Sequence, residues 1–309
     1  MADTITEWQK RQFNAYVIYQ YQQEVNLVAN HVSAETYHAN VRGNLDSFDI
    51  AGPAISRDKV DRYEETVWSE ILKSRRWARP YRSYGALPFD RFDQVRAIIE
   101  DVNAVHTKQL VRALKRTEDK RVIDAATGSA LTGETATGTA ALPTNQQVAL
   151  GTTPNDVLTL AKIKNVSANF DKNSVPPDPK MRHWFYAPGQ KQAILAITQA
   201  ASSDFTNLRI YDRGNIDGLD WMGFTWHMIP DVIDQSLTSL VTMLALSTTT
   251  RTNIAFASNA MGVSKCVDIK TELDYLPQRT YTWQAYAEID VGAVRVLDGG
   301  VMSILCLEQ

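Results

Sequence analysis

The sequence predicts an α+β protein. A helix-period stretch of about 26 residues runs from Asp101 to Ala126, helical and strand-like segments alternate from Pro154 onward, and the last 65 residues read mostly as strand. Strands gathered late in the chain point to an antiparallel sheet there.

From the N-terminus, Trp8, Phe13, Tyr16, Val17, Tyr21, Val25 and Val28 recur at roughly helical spacing behind Thr6. They predict an amphipathic arm over residues 4–32. Between Gly43 and Asp61 the chain turns polar, and Gly52-Pro53 is a strong break, so this stretch reads as loop or extended arm. RYEETVWSEIL follows, then KSRRWARPYR, Lys73 to Arg82. That run holds five basic side chains, no acidic ones, two aromatics and a proline, in a chain of net charge −3. In SYGALPFDRFDQVRAII, Gly85 and Pro88 bound a short helix opened by Asp90.

The long helix carries Val102, Val105, Leu110, Ala113, Leu114, Val122, Ile123 and Ala126 on its apolar stripe, with Gly128 closing it. At 1.5 Å per residue it is about 39 Å long. TGSALTGETATGTAALPTNQQ then reads as loop or linker and marks a break in organisation. A helix is expected over Asn155–Phe170, a short strand in HWFYAP and another helix in GQKQAILAITQAA. Turns at Gly214 and Gly218 flank the aromatic strand residues Trp221, Phe224 and Trp226. RTNIAFAS, GVSKCVDIKTEL, TYTWQAYAEIDVGAVRVL and GGVMSILCLE are the closing strands.

Composition narrows the function. A 309-residue chain that is 44% hydrophobic can bury a sizeable core. The N-terminus lacks an apolar signal region and no stretch approaches ~18 uninterrupted apolar residues, so neither secretion nor a membrane span is expected. Cys266 and Cys306 have no zinc or disulfide-framework spacing and are expected to be buried small hydrophobes in a reducing compartment.

Catalytic signals are weak. GSALTGET, Gly128 to Thr135, meets the phosphate-loop template except that Glu134 replaces the lysine, and a carboxylate there repels the phosphate it would have to hold. His31, His38, His106, His183 and His227 are scattered with no HExxH pair, so no metal site is expected. There is no GxSxG elbow, and carboxylate pairs such as Glu64-Glu65 or Asp90 with Asp93 read as helix starts or arginine partners. No catalytic residue, cofactor or metal is assigned.

Charge placement is more informative. Residues 57–126 hold 16 of the 32 Lys and Arg but 12 of the 35 acidic residues, so this quarter is basic and the remainder acidic. Arginine predominates there, and its planar fork suits carboxylates or phosphates. A solvated face, a nucleic-acid surface or a subunit interface all fit.

The order of segments resembles a specific family. Arg75 and Arg76 precede an acidic turn at Asp90, Asp93 and Arg96. The helix pattern Arg116, Asp119, Ile123, Ala126, Gly128, Ala130, Thr132 and Gly133 follows, then Leu142, Pro143 and Gln146. Over residues 60–150 this resembles the tailed-phage major capsid protein family with the Hong Kong 97-type fold. The departures are Pro80, which interrupts strand alternation, and His106 and Lys108 in the helix, where small residues are common.

The resemblance implies an N-terminal arm (1–39), an extended E-loop hairpin (40–95), a P-domain with the spine helix (96–150), an A-domain (151–261) and closing P-domain strands (262–309). It implies a structural protein rather than an enzyme: a major capsid protein of a tailed double-stranded DNA bacteriophage. Such a chain self-assembles through hexamers and pentamers into an icosahedral capsid, resides in the virion and is assembled in the host cytoplasm. Arg75, Arg76, Trp77, Arg79, Tyr81 and Arg82 become subunit-interface candidates. Arg112, Lys115, Arg116 and Arg121 become genome-facing candidates for non-specific contact with double-stranded DNA. Scaffolding, portal and decoration proteins are implied partners, and no membrane is. Lys59 and Lys73 are the E-loop lysines, with no partner asparagine or catalytic glutamate evident for a cross-link. The alternative reading is a nucleic-acid-binding module that turns the same arginines on phosphates.

Overall fold

The computed structural model describes residues 23–89, 102–151, 156–197, 216–233, 240–241, 243–247, 249–279 and 282–308. Its longest feature is the hairpin of β15 (Met261–Leu276) and β16 (Thr282–Arg295), antiparallel from Met261↔Arg295 to Leu276↔Thr282 with two register shifts between Lys265 and Lys270. On one side β16 pairs with β4 (Tyr81–Phe89); on the other, β1 (Tyr37–Ala39) runs parallel to β15. Gly85 and Pro88 therefore lie in a strand and do not bound a helix. β4 is the edge of this sheet, where a proline's missing N–H is tolerated. The helix expected to open at Asp90 falls outside the described residues.

Helix α1 (Val102–Thr127) lies over this sheet against β16, β4 and β15, matching the expected long helix. Leu110, Leu114, Val122, Ile123 and Ala126 are buried as the periodicity requires. The contact with β4 is close: a Cβ on Gly85 would sit 2.7 Å from Leu110 Cδ2. Between Leu114 and Val122 the buried positions are Glu118 and Asp119, where the N-terminal segment docks.

A second sheet has the order β7 (Gln147–Val148), β17 (Val301–Leu307), β14 (Thr250–Ala257), β8 (Arg182–Tyr186), β10 (Phe224–Met228), β9 (Asp220–Trp221). β8 and β10 are parallel, while β14 is antiparallel to both β8 and β17. Trp184, Trp226, Phe170, Phe224, Phe185 and Phe256 fill its core, with Trp184 stacked on Trp226 at 4.7 Å. Helix α2 (Leu160–Lys172) is capped by Thr159, whose side chain accepts from Lys162 N at 3.4 Å. Helix α3 (Pro188–Leu195) opens on a proline, whose fixed φ suits the first turn. The expected closing strands are those observed, divided between two sheets.

A third sheet departs from expectation. Its order is β2 (Asp46–Ala51), β3 (Lys73–Ala78), β5 (Ala130–Thr132), β6 (Gly138–Ala140), so the Gly/Thr-rich segment after α1 is an ordered hairpin and no linker. Gly133 at φ +90° and Ala136 at φ 58° turn the chain, and Leu131 pairs with Trp77 of β3. The partner edge lies more than fifty residues upstream, where local composition gives no sign of it. GSALTGET thus leads from a helix into a strand, the reverse of a phosphate loop. β11 (Val232–Ile233) and β12 (Leu240–Val241) form a separate two-stranded sheet, and β13 (Leu246–Ser247) pairs antiparallel with β14.

The amphipathic arm expected over residues 4–32 lies partly outside the described residues. Within residues 23–36 the chain makes only short 3-10 turns at Ala29–His31 and Ala34–Thr36. Its amides there serve a side chain of α1, which removes the donors a continued helix would use.

Candidate functional site

The basic run is divided between two sheets. Lys73–Ala78 belongs to β3 in the small sheet, and from Tyr81 the chain belongs to β4 in the long one. Arg79 and Pro80 make the crossing over Gly292 of β16, where an added Cβ would lie 2.6 Å from the Arg79 carbonyl carbon and 2.7 Å from Pro80 N. The proline that breaks strand alternation marks the passage between sheets.

Each of the three arginines beside this crossing has an acidic partner. Arg75 forms a two-pronged pair with Asp49 across β2 and β3, Nη2 donating to Oδ2 at 3.0 Å, and its guanidinium lies 5.4 Å from the Trp77 ring centroid. That hydrogen bond holds the Asp49 carboxyl below its ordinary value. Arg76 Nη2 donates to Asp298 Oδ2 at 2.7 Å. Arg82 pairs with Glu288, which also accepts from Tyr286 Oη at 2.9 Å. Trp77 Nε1 donates to Gly133 O at 2.6 Å, fixing the turn of the third sheet against β3. Arg79, Tyr81 and Arg82 are exposed; Arg75, Arg76 and Trp77 are half-buried.

Asp298 also accepts from Arg295 Nε at 2.7 Å. The fully buried Arg295 reaches Ala126 O at 3.1 Å and Gly128 O at 2.6 Å, carbonyls left over at the C-terminal end of α1, and Ala140 O at 2.9 Å in β6. One buried guanidinium joins the long helix, the small sheet and the turn before β17. Arg182 and Arg251 are buried alike: Arg182 pairs with Asp171, and Arg251 with Asp231 and Glu308. These structural arginines have no periodicity signature in the sequence.

Arg112, Lys115, Arg116 and Arg121 of α1 are half-buried and engaged. Arg112 pairs with Glu24, and Lys115 Nζ donates to Glu24 O at 3.3 Å. Arg121 donates to Ser83 Oγ at 3.0 Å and lies 5.1 Å from the Tyr81 ring. Burial, with the Arg112 charge, lowers the pKa of Arg116. Behind them, Asp119 accepts from Leu27 N at 2.8 Å, Val28 N at 3.1 Å, Ala29 N at 2.9 Å and the Gln23 amide. Burial pushes its carboxyl up while these donors oppose the shift. Glu118 holds Asn26 at 2.8 Å, Tyr37 Oη at 3.2 Å and Lys265 at 3.0 Å.

The exposed apolar surface lies elsewhere. Between β2 and β3, residues 52–72 form neither strand nor helix, and Ile55, Val60, Tyr63, Val67, Trp68, Ile71 and Leu72 are all exposed, Tyr63 and Trp68 at 90%. A groove of about 880 Å³ beside its base is lined by Asp49, Ile50, Lys73, Arg75, Thr132 and Glu134. Sequence reasoning placed the aromatic interface candidates at Trp77 and Tyr81 and missed this series. Large hydrophobics at neither helical nor strand spacing, between Gly52-Pro53 and the basic run, are the signal that could have found it. The cysteines are unpaired; Cys306 is buried, with its thiol pushed up to about 11 by burial, but Cys266 is only half-buried, contrary to expectation. No helix among the described residues is long and apolar enough to cross a membrane.

Comparisons give this arrangement its context. A family model described as "Phage capsid protein" matches residues 5–308. Mycobacterium phage Che8 has a similar solved structure, with a TM-score of 0.65 at 14% identity, covering 95% of this chain and 96% of that one. The capsid of Cyanophage P-SCSP1u gives a TM-score of 0.66 at 14% identity, over 97% and 93% of the two chains. That of Helicobacter pylori bacteriophage KHP30 gives 0.66 at 9% identity, over 96% and 94%. None of the curated proteins matches. The mixed α+β fold is the Hong Kong 97-like fold of phage capsids, and nothing supports the alternative of a separate nucleic-acid-binding module. With the family model running almost end to end, the chain belongs to the phage capsid protein family and is a structural subunit of a phage shell.

Proposed function

We propose that this chain assembles through hexamers and pentamers into the icosahedral shell of a tailed double-stranded DNA phage, and that residues 40–95 act as an E-loop laid over a neighbouring subunit. The observation that carries this reading is the exposed apolar series of residues 52–72. Fully burying one such side chain is worth about 1.5–3 kcal/mol, so leaving seven in water is a standing penalty that a neighbour's surface removes. Aromatic residues at the centre of an interface and charges at its rim are the usual division of labour, and Tyr63 and Trp68 flanked by Arg75, Arg79, Tyr81 and Arg82 fit it. Arg76 and Trp77 support the interface indirectly, by fixing the base of the loop.

The remaining parts follow the same reading. Residues 1–39 serve as the N-terminal arm, 96–150 and 262–309 as the P-domain with α1 as spine helix, and 151–261 as the A-domain. Arg112, Lys115, Arg116 and Arg121 offer at most non-specific contact with packaged DNA, because Glu24 and Asp124 lie among them and dilute the positive field. Scaffolding, portal and decoration proteins are further partners, and assembly proceeds in the host cytoplasm before the shell becomes part of the virion.

Sizing of the purified full-length protein, alone or with a scaffolding partner, tests the proposal. Pentamers, hexamers and megadalton shells in electron micrographs are expected. A product that stays monomeric under every condition overturns it. Arg75→Glu with Arg79→Glu is expected to leave a folded subunit that assembles poorly.

A further inference from the structure

We propose that His31, His183 and His227 form a binding site for a borderline divalent cation, zinc or cobalt in class, that clips the N-terminal segment to the central sheet. The three lie far apart in sequence and on separate elements: His31 ends the 3-10 turn at Ala29–His31, His183 is on β8 and His227 on β10. Because β8 and β10 run parallel with Thr225 opposite His183 and His227 opposite Phe185, the two strand histidines are neighbours on one face, and His31 packs on both. Its ring centroid is 4.0 Å from that of His227 and 4.5 Å from that of His183. One nitrogen from each imidazole lies within 4.8 Å of the others.

The hydrogen-bond network prepares these nitrogens for a metal. Ser258 Oγ donates to Met181 O at 3.5 Å and accepts from His183 Nε2–H at 3.0 Å. In that tautomer the lone pair is on His183 Nδ1, which accepts from His227 Nε2–H, 3.1 Å away. Zinc–nitrogen bonds of about 2.0–2.1 Å in tetrahedral geometry place ligand nitrogens roughly 3.3 Å apart, so this pair already has the required span. His31 sits on a surface segment and closes the third side by a small ring movement. When an ion binds, His227 changes tautomer, its proton passing from Nε2 to Nδ1 through solvent, and the ion takes the place of the hydrogen bond between the two nitrogens.

The surroundings favour the same ion. Burial disfavours the doubly protonated, charged form of all three rings, so none of them brings a positive charge that would repel a cation. Asp217 near His31 and Asp220 near His183 supply negative charge without displacing the imidazoles. An all-nitrogen donor set selects zinc, cobalt or nickel over magnesium or calcium. His31 and His227 are half-exposed, so the ion has an entry path and a fourth position open to water. Ser258 holds the outer nitrogen of a ligand and so fixes the ring's orientation, as hydrogen-bond partners of zinc-bound histidines do.

Untagged full-length protein, stripped with chelator and titrated with Co²⁺, tests the site. One Co²⁺ per chain is expected, with the visible d–d bands of tetrahedral cobalt and no competition from Mg²⁺. His31→Gln removes a ligand from a surface turn and is expected to weaken binding at least about 100-fold, and Ser258→Ala, which removes no ligand, about 10–100-fold. Cys266→Ser should leave the bands unchanged. Wild-type protein that binds no Co²⁺, or cobalt binding undiminished in both His31→Gln and Ser258→Ala, overturns the proposal and leaves three packed aromatic rings.

Discussion

Arg76 Nη2 lies 2.7 Å from Asp298 Oδ2, joining the base of the exposed 52–72 segment to the turn before β17. Asp298 shares its other oxygen with buried Arg295, so a single carboxylate sets the loop base against the end of α1. Asp298→Ala is expected to cost about 3–5 kcal/mol in urea denaturation of the subunit, because it leaves the buried Arg295 charge with carbonyl partners and no carboxylate. Arg76→Met leaves Arg295 satisfied and should cost less, about 1–3 kcal/mol. Equal losses would show that the two arginines do not act through one carboxylate.

Gly292→Ala tests the crossing between sheets. The new methyl meets the backbone of Arg79 and Pro80, which cannot swing aside as a side chain could. A loss of about 1–3 kcal/mol or more is expected in the same denaturation assay. An alanine tolerated with no change in midpoint would mean the crossing is looser than the structure has it.

Asp119→Asn is expected to free the N-terminal segment. The amide nitrogen cannot accept, so some of the N–H donors of Leu27, Val28 and Ala29 lose their partner, at about 1.5–3 kcal/mol. Limited proteolysis should cut residues 23–37 faster in the variant, while α1 stays protected.

A pH prediction follows from Glu288. Hydrogen bonds from Arg82 and then Tyr286 hold its carboxyl below the ordinary 4.5. A carboxyl depressed in the folded state stabilises fully above its unfolded pKa, and that contribution fades as pH falls through the folded value. Glu288→Gln should therefore be less stable than wild type at pH 7, with the gap narrowing as the pH falls below the ordinary carboxylate range. A gap that is constant with pH would assign the effect to packing instead of charge.

Much of the fold was legible because it is local. The period of Leu110, Leu114, Val122 and Ile123 announces α1, and the strand-prone runs after Arg251 announce β14 to β17. What stayed hidden depends on distant partners. Ala130–Ala140 becomes a hairpin only because β3 offers an edge, and Gly85-Pro88 becomes strand because β16 lies alongside. Buried Arg182, Arg251 and Arg295 resemble surface arginines until the fold supplies carboxylates and carbonyls. The basic run was legible as a special place, but its charges turned out to be largely paired within the chain. The apolar series at 52–72 was overlooked because periodicity detects faces of regular elements, and this segment has none.

The central claim is that this exposed series becomes buried between subunits. Tyr63→Ser with Trp68→Ser removes two side chains that touch little of their own subunit, so circular dichroism and urea midpoint should match wild type. If a neighbour covers them, each is worth about 2 kcal/mol or more per contact, multiplied over a closed shell. Electron microscopy and sedimentation of the assembly reaction should then show folded capsomers or free subunits and no shells. Shells of normal size at wild-type yield would contradict the account.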